Sequence, residues 1–424
     1  MSQSRRTFIK SVAVSGGVAA SSAISLPFFS NANAMNHSFI PDSEPSPSII
    51  GHYGSWAASL PTNPPALSFR QPQWKNIDIW RKNAREKMLE YLGKPDIGTN
   101  PPVTIHKKYT YDGLDVEELS WQLPYGRPTE AILLKPTGAN KPLPAVLGLH
   151  DHSGDKYFGK RKITQTGEQH PMMVELQKKA YSGRPWANDL AKRGYVVLVP
   201  DAFAFGSRRV KYEDVSEIHR QGLYIGDKVD AEHEEYIREY NHWAGQHEHI
   251  LSKSLFCAGT TWPGVFLAED QRALDVLCSR PEVDTTKVGC CGLSGGGLRS
   301  AYLGGLDDRV ACAVCVGFMT TWNDFLLNRA YTHTWMTYIP RLPQLLDFPE
   351  VLGMRAPRPT LVLNNREDQL FTLDEMKRAD RIMQEVFTKA KADDRYRASF
   401  YAGLHKFDAD MQTEAFAWFD QWLI

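Results

Sequence analysis

Downstream of residue 143 the chain alternates between short, largely apolar runs and longer stretches whose apolar residues recur at helical spacing. The runs lie at 144–150, 195–200, 288–291, 310–316, 360–364 and 397–401. Runs of this kind suit strands buried on both faces, because successive side chains point to opposite sides of a sheet. The helical stretches lie at 186–193, 265–277, 373–391 and 411–423, with a further one starting near Leu298. Strand and helix in turn predict an α/β fold, a mainly parallel central sheet with helices on both faces. Upstream, 116–123 and 129–134 read as antiparallel strands joined by the turn Pro124-Tyr125-Gly126-Arg127-Pro128. Residues 74–92 place Trp74, Ile77, Trp80, Ala84, Met88 and Leu92 at helical spacing. An amphipathic helix packed on the main body is expected there.

Two segments interrupt this regularity. Residues 36–65 are rich in Ser, Pro, Asn and Gly and predict an extended arm. Residues 205–261 are long, charged and aromatic, with a helical region at 231–253. They read as an insertion before the 288–291 strand, either a cover over a site at the strand ends or a packed helical excursion. At the N-terminus, Ser4-Arg5-Arg6-Thr7-Phe8-Ile9-Lys10 resembles a twin-arginine export signal. A small and apolar stretch to Phe29 and a small-x-small site at Ala32-Asn33-Ala34 complete that anatomy. The expected division is a leader at 1–34, an N-terminal arm and helix at 35–105, and a main domain at 106–424 carrying the insertion 205–261. A periplasmic or extracellular mature protein follows, with the twin-arginine translocation machinery as its partner during export.

Composition narrows the function classes. The 424 residues are 42% hydrophobic and 23% charged, an ordinary globular profile. Forty-nine basic residues balance forty-nine acidic ones, so net charge favours neither nucleic acid nor an anionic membrane. All six cysteines lie between Cys257 and Cys315. Those in the apolar runs read as buried, inert thiols, with Cys290 and Cys291 on opposite faces of a strand; a bridge between strands is left open.

Candidate chemistry begins at Gly292-Leu293-Ser294-Gly295-Gly296, which follows an apolar run and opens a helical pattern. A serine on such a strand-to-helix turn is pushed clear of the sheet edge, and the glycines two residues either side make room for the turn. Ligands in open α/β sheets bind beyond the carboxyl ends of the strands. Two further residues stand there: Asp368, after the 360–364 run, and His405, after the 397–401 run. Each alone is commonly a turn former or a surface residue. Together, in the order Ser, Asp, His, they supply a nucleophile, a general base and the carboxylate that orients the base. Glu367 is the rival to Asp368. The Gly295 N–H is the expected first donor to the oxyanion.

From about residue 143 onward these motifs resemble the α/β-hydrolase superfamily, and within it the dienelactone hydrolase and acetylxylan esterase-like branch. The resemblance rests on Leu149-His150-Asp151-His152-Ser153-Gly154, Asp270-Gln271-Arg272-Ala273-Leu274-Asp275, Gly292-Leu293-Ser294-Gly295-Gly296-Gly297 and Gly403-Leu404-His405. Dienelactone hydrolases proper carry cysteine in place of Ser294, and many acetylxylan esterases carry Gln in place of Gly295. The resemblance implies a second oxyanion donor at the Asp151 or His152 amide. A metal reading of His150-Asp151-His152 is the lesser alternative, because the cluster supplies few converging ligands; no metal or cofactor is expected. Trp186, Trp262, Trp322 and Trp335, with Tyr331, are expected near the strand ends, as substrate contacts or as core. Arg299 anchors a carboxylate or pairs within its helix. The expected function is an exported serine hydrolase that cleaves carboxylic esters through an acyl-enzyme, on a small molecule or on polysaccharide acetyl or related esters. The alternatives are an exported serine peptidase of the same superfamily and a non-catalytic binding protein on this fold.

Overall fold

The computed structural model describes residues 47–220 and 232–424. The expected export signal lies outside the described residues, as do the start of the expected arm and residues 221–231 of the expected insertion.

The strands are β1 (Val103–Tyr111), β2 (Leu114–Trp121), β3 (Thr129–Pro136), β4 (Leu143–Gly148), β5 (Val196–Pro200), β6 (Val283–Leu293), β7 (Cys312–Val316), β8 (Thr360–Asn365) and β9 (Tyr396–Tyr401). They form one sheet in the order β1-β2-β3-β5-β4-β6-β7-β8-β9. Pairing is antiparallel from β1 to β5 and parallel from β5 through β4 to β9. The chain steps from β4 outward to β5, then returns to lay β6 on the other side of β4. The order of strands therefore reverses at the β4–β6 pair, where open α/β sheets have their crevice. Gly148 faces Cys291 in that pair, and Leu149 N–H donates to Cys291 O at 2.8 Å.

The first helices are α1 (Tyr53–Ala58), α2 (Ile77–Leu92), α3 (Pro171–Tyr181), α4 (Trp186–Lys192), α5 (Glu234–Cys257), α6 (Trp262–Cys278) and α7 (Gly295–Leu306). Period-two alternation divides the strands between two cores. Ala145, Leu147, Val288, Cys290, Ala313 and Cys315 face one core, with Trp80 of α2, Leu267 of α6, Leu298 of α7 and Met383. Val146, Cys291, Cys312, Val314 and Val316 face the other, with Leu190 of α4 and Phe419. A third, smaller cluster gathers Tyr157, Phe158 and Met173 against Ile237, Tyr240 and Trp243 of α5, so the insertion helix has a core of its own. All six cysteines are free, and burial pushes the Cys290 thiol up to about 12.

Several elements depart from expectation for local reasons. Helix α2 starts at Ile77 because the Asn76 side chain accepts from Asp78 N at 2.8 Å and Ile79 N at 3.0 Å, a cap on two orphan donors. Strand β1 escapes the apolar pattern because it is a solvent-washed edge; Lys107 and Lys108 pair with Glu118 and Glu117 of β2. Helix α3 is disguised because Gln177 stands between Met173 and Tyr181 on its buried face. Arg299 pairs neither within its helix nor toward a substrate. It is buried against Asp270 of α6, with Nε 2.9 Å from Oδ2.

Trp186 is a correction. Its indole is wholly buried under the sheet, edge-on to Phe407 with ring centroids 5.8 Å apart, and leaves no exposed face for a substrate. Trp186→Ala should therefore cost about 3–5 kcal/mol of unfolding free energy, as large core deletions do. Urea titration measures it, and the KM of the folded variant for an aryl ester should stay at the wild-type value.

Candidate active site

Strand β6 ends at Leu293 and α7 begins at Gly295, leaving Ser294 alone on the turn with φ 58° and ψ −117°. Left-handed backbone at a non-glycine residue costs about 1–3 kcal/mol and persists only where its surroundings hold it. Two bonds do so here: Ser294 N donates to Val316 O at 2.9 Å, and Leu298 N donates to Ser294 O at 2.8 Å. The glycines supply space. A Cβ on Gly292 would stand 2.2 Å from the Leu149 carbonyl oxygen, and one on Gly296 would stand 2.0 Å from it. The exit of β4 thus lies backbone to backbone on the elbow.

The exits of β7, β8 and β9 complete the row. Gly317, directly after β7, takes φ 57°, and a Cβ there would come within 3.0 Å of His405 Cε1. The His405 ring therefore rests on the residue that follows Val316, the acceptor for Ser294 N–H. His405 Nδ1 lies 2.6 Å from Asp368 Oδ2. Asp368 is buried, and its other oxygen accepts from Leu370 N at 2.9 Å. With Nδ1–H committed to the carboxylate, Nε2 is left as the proton acceptor. That atom is buried and has no hydrogen-bond partner among the described residues. Glu367 does not compete: it is exposed and accepts instead from the Gly403 amide.

On the other flank, Gly295 meets the loop after β4. A Cβ on Gly295 would stand 3.0 Å from His152 N, so of Asp151 and His152 it is the His152 amide that adjoins the elbow. Among the described residues, neither the His152 nor the Gly295 N–H has a hydrogen-bond acceptor. Two adjacent, unspent amides are what a developing oxyanion needs. The side chains of 150–152 turn elsewhere. His150 Nε2 accepts from Ala202 N at 3.1 Å and its Nδ1 donates to Asp151 O at 3.0 Å. The Asp151 carboxylate accepts from the Tyr181 hydroxyl. His152 Nδ1 accepts from Gly154 N at 3.0 Å, so Nε2–H donates to Glu248 Oε1 at 2.7 Å. These commitments spend the atoms that a metal would require.

Glu248 lies on α5, and this is where the insertion reaches the site. Its carboxylate pairs with the buried Lys156 ammonium and accepts from Thr334 Oγ1 at 2.6 Å. Asn241, on the same helix, accepts from Lys156 N and Tyr157 N, both at 2.9 Å. Helix α5 is therefore bolted to the loop that carries the His152 amide. Burial alone would raise the Glu248 carboxyl, but His152 and Lys156 hold it far below the usual carboxylate range. Burial lowers His152 to about 4, helped by the Lys156 charge.

The remaining aromatic candidates separate. Trp262 is wholly buried in the core, edge-on to Phe203, which corrects its expected substrate contact. Trp322 is also nearly buried, with Nε1–H donating to Leu346 O at 3.1 Å. Its outer edge lines a cavity of about 490 Å³ with Ile49, Leu60, Phe325 and Tyr338, a lining that includes none of Ser294, Asp368 and His405. Trp335 is 38% exposed, next to Thr334 and Glu248, and Tyr331 is exposed as well. His333 had no distinguishing context in the sequence. It sits among Phe318, Phe325 and Phe371, its Nδ1 3.1 Å from Arg329 O and its buried Nε2 without a partner among the described residues. Burial lowers it to about 4, and Asp368 and His405 are close enough to act on its charge.

The sheet, its covering helices and the elbow at the reversal of strand order define an α/β-hydrolase fold. No family model matches the chain. A Bacillus subtilis (strain 168) protein assigned as a hydrolase, YtaP, is 26% identical over 348 residues, 81% of this chain and 100% of its own length. A Bacteroides fragilis structure assigned as an acetyl xylan esterase matches with a TM-score of 0.61 at 19% identity, covering 86% of this chain and 84% of that one. The glucuronoyl esterase of Solibacter usitatus matches at 0.54 and 14% identity, covering 82% and 94%.

The buried histidines set an acid limit. His150 is lowered to about 3, by burial first and then by Lys162 and Arg299, while His152 and His333 are lowered to about 4. Unfolded, all three take up protons near the ordinary 6.5; folded, they resist until about 4 or below. Their contribution to stability is full above 6.5 and is lost as pH falls through that window. Tm should drop steadily from pH 7 to pH 4.5, and less steeply in His333→Gln; a Tm flat over that range would contradict the three neutral imidazoles.

Proposed function

We propose that this protein is a serine hydrolase of carboxylic esters working through an acyl-enzyme, exported by the twin-arginine route, and acting on acetyl or related esters of a polysaccharide. The observation that carries the reaction class is His405: one nitrogen is bound to Asp368 at 2.6 Å, and the other is buried and unpartnered beside the serine elbow. On attack, Ser294 Oγ bonds to the ester carbonyl carbon and its proton passes to His405 Nε2. The carbonyl oxygen becomes an alkoxide facing the Gly295 and His152 amides. The same imidazolium then protonates the departing alcohol, and water repeats the cycle to free the acid. Asp368 holds the tautomer and stabilises the imidazolium.

The polysaccharide reading has support from two sides: the esterase assignments of the Bacteroides and Solibacter structures, and the export signal expected from the sequence. Trp335 is the exposed aromatic beside the site that offers a flat face to a sugar.

Mature protein assayed on p-nitrophenyl acetate should lose about 10⁴-fold or more in kcat in Ser294→Ala, His405→Ala and Asp368→Asn. Equal, near-background rates in wild type and Ser294→Ala would remove the enzyme reading. Acetylated xylan, pectin and a peptide ester then separate the substrates; release from the peptide ester alone would make it a peptidase. Arg5→Lys with Arg6→Lys should leave uncleaved precursor in the cytoplasm, and normal export of that variant would discard the twin-arginine route.

A further inference from the structure

Lys162 lies fully buried beneath the loop that carries the His152 amide. Its Nζ donates to Asp151 O at 2.8 Å and to His152 O at 2.9 Å. The Asp151 carboxylate is 3.9 Å away, and the Phe205 ring centroid is 5.0 Å away. Each carbonyl has a second donor as well, His150 Nδ1 at 3.0 Å on Asp151 O and Asp155 N at 3.1 Å on His152 O. Both lone pairs of both oxygens are therefore in use.

This arrangement follows from the shape of the loop. Ser153 and Gly154 take φ 47° and 71°, which turns the chain sharply just past His152. Two successive carbonyl oxygens then converge on one buried point, an arrangement that repels itself unless a donor bearing positive charge stands between them. A trans peptide sets its N–H opposite its C=O. Fixing Asp151 O below the loop therefore turns His152 N–H to the far side, toward Gly295.

We propose that Lys162 is the positioning residue of the oxyanion hole, holding the 151–152 peptide with its N–H toward the reacting carbonyl and polarising that peptide. The inference rests on the serine esterase reading above. Lys162 touches no substrate atom. Its influence grows only as negative charge builds on the carbonyl oxygen, so it belongs to the transition state and should act on kcat with little effect on KM.

The test compares Lys162→Met and Lys162→Gln with wild type and Ser294→Ala on p-nitrophenyl acetate, and measures binding of an aryl trifluoromethyl ketone, whose serine adduct carries the same oxyanion. Lys162→Met should lower kcat by about 10–100-fold, below the loss for removing a direct donor, with KM within about twofold. Ketone affinity should fall by the same factor as kcat/KM. Lys162→Gln keeps an N–H donor without the charge and should lose less. A folded Lys162→Met with kcat within about threefold of wild type, or with unchanged ketone affinity, overturns the proposal. Should Lys162→Met fail to fold, Asp151→Asn with Lys162→Met removes both buried charges together. Failure of all these variants to fold would assign Lys162 to folding alone and also overturn the proposal. Ser294→Ala keeps the two readings apart: if it stays active the serine mechanism itself is wrong, and if it is dead while the Lys162 variants match wild type only the positioning role falls.

Discussion

The whole site depends on one contact, the carbonyl of Leu149 against Gly292 and Gly296. There is no side chain between the exit of β4 and the elbow, and none would fit. Because the two backbones touch, the next residues of the loop are delivered to the first turn of α7, and His152 N arrives at Gly295. The other exits follow from strand order. Val316 ends the strand beside β6 and accepts the Ser294 amide, Gly317 makes a bed for His405, and β8 and β9 bring Asp368 and His405 to that bed. The chemistry is arranged by backbone proximity at the reversal of the sheet, and side chains are added to it.

That dependence explains what was legible in the sequence. The runs at 144–150, 288–291, 310–316 and 360–364 are apolar because both faces of their strands are buried, and so the parallel half of the sheet could be read directly. Ser294 and Asp368 stand out because each follows such a run, and His405 because it follows the extended stretch 397–401, which is only partly buried. Burial on one side only is harder to see: His106, Lys107 and Lys108 break the apolar alternation of β1, and α3 buries a glutamine, so neither carries an unbroken apolar period. Glu367 and Asp368 are adjacent in sequence, and only the turn after Asn365 decides that one is buried against His405 while the other reaches for Gly403.

The supporting charges were not legible at all. Lys156, Lys162 and Glu248 look like ordinary surface residues in a charged stretch, because nothing local marks a lysine that will be buried. Their burial is a tertiary fact. It arises where the loop after β4, the insertion helix α5 and the 334–335 segment meet, and each group survives out of water because an opposite charge or a pair of carbonyls receives it. The buried tryptophans differ from expectation for the converse reason. Trp186 and Trp262 open the helices that precede β5 and β6, and their large apolar surface is worth more inside the fold than at its rim.

The bolting of α5 to the loop after β4 bears on how such a protein can change. A cover laid over a finished site could be exchanged freely, as a module, to alter what the site admits. Here Asn241 and Glu248 hold the very segment that presents the His152 amide, so helix α5 and the 150–162 loop form a single inheritable part. Grafting either one from a relative without the other would bring a foreign shape to the strand ends and, with it, a slackened loop beside the elbow.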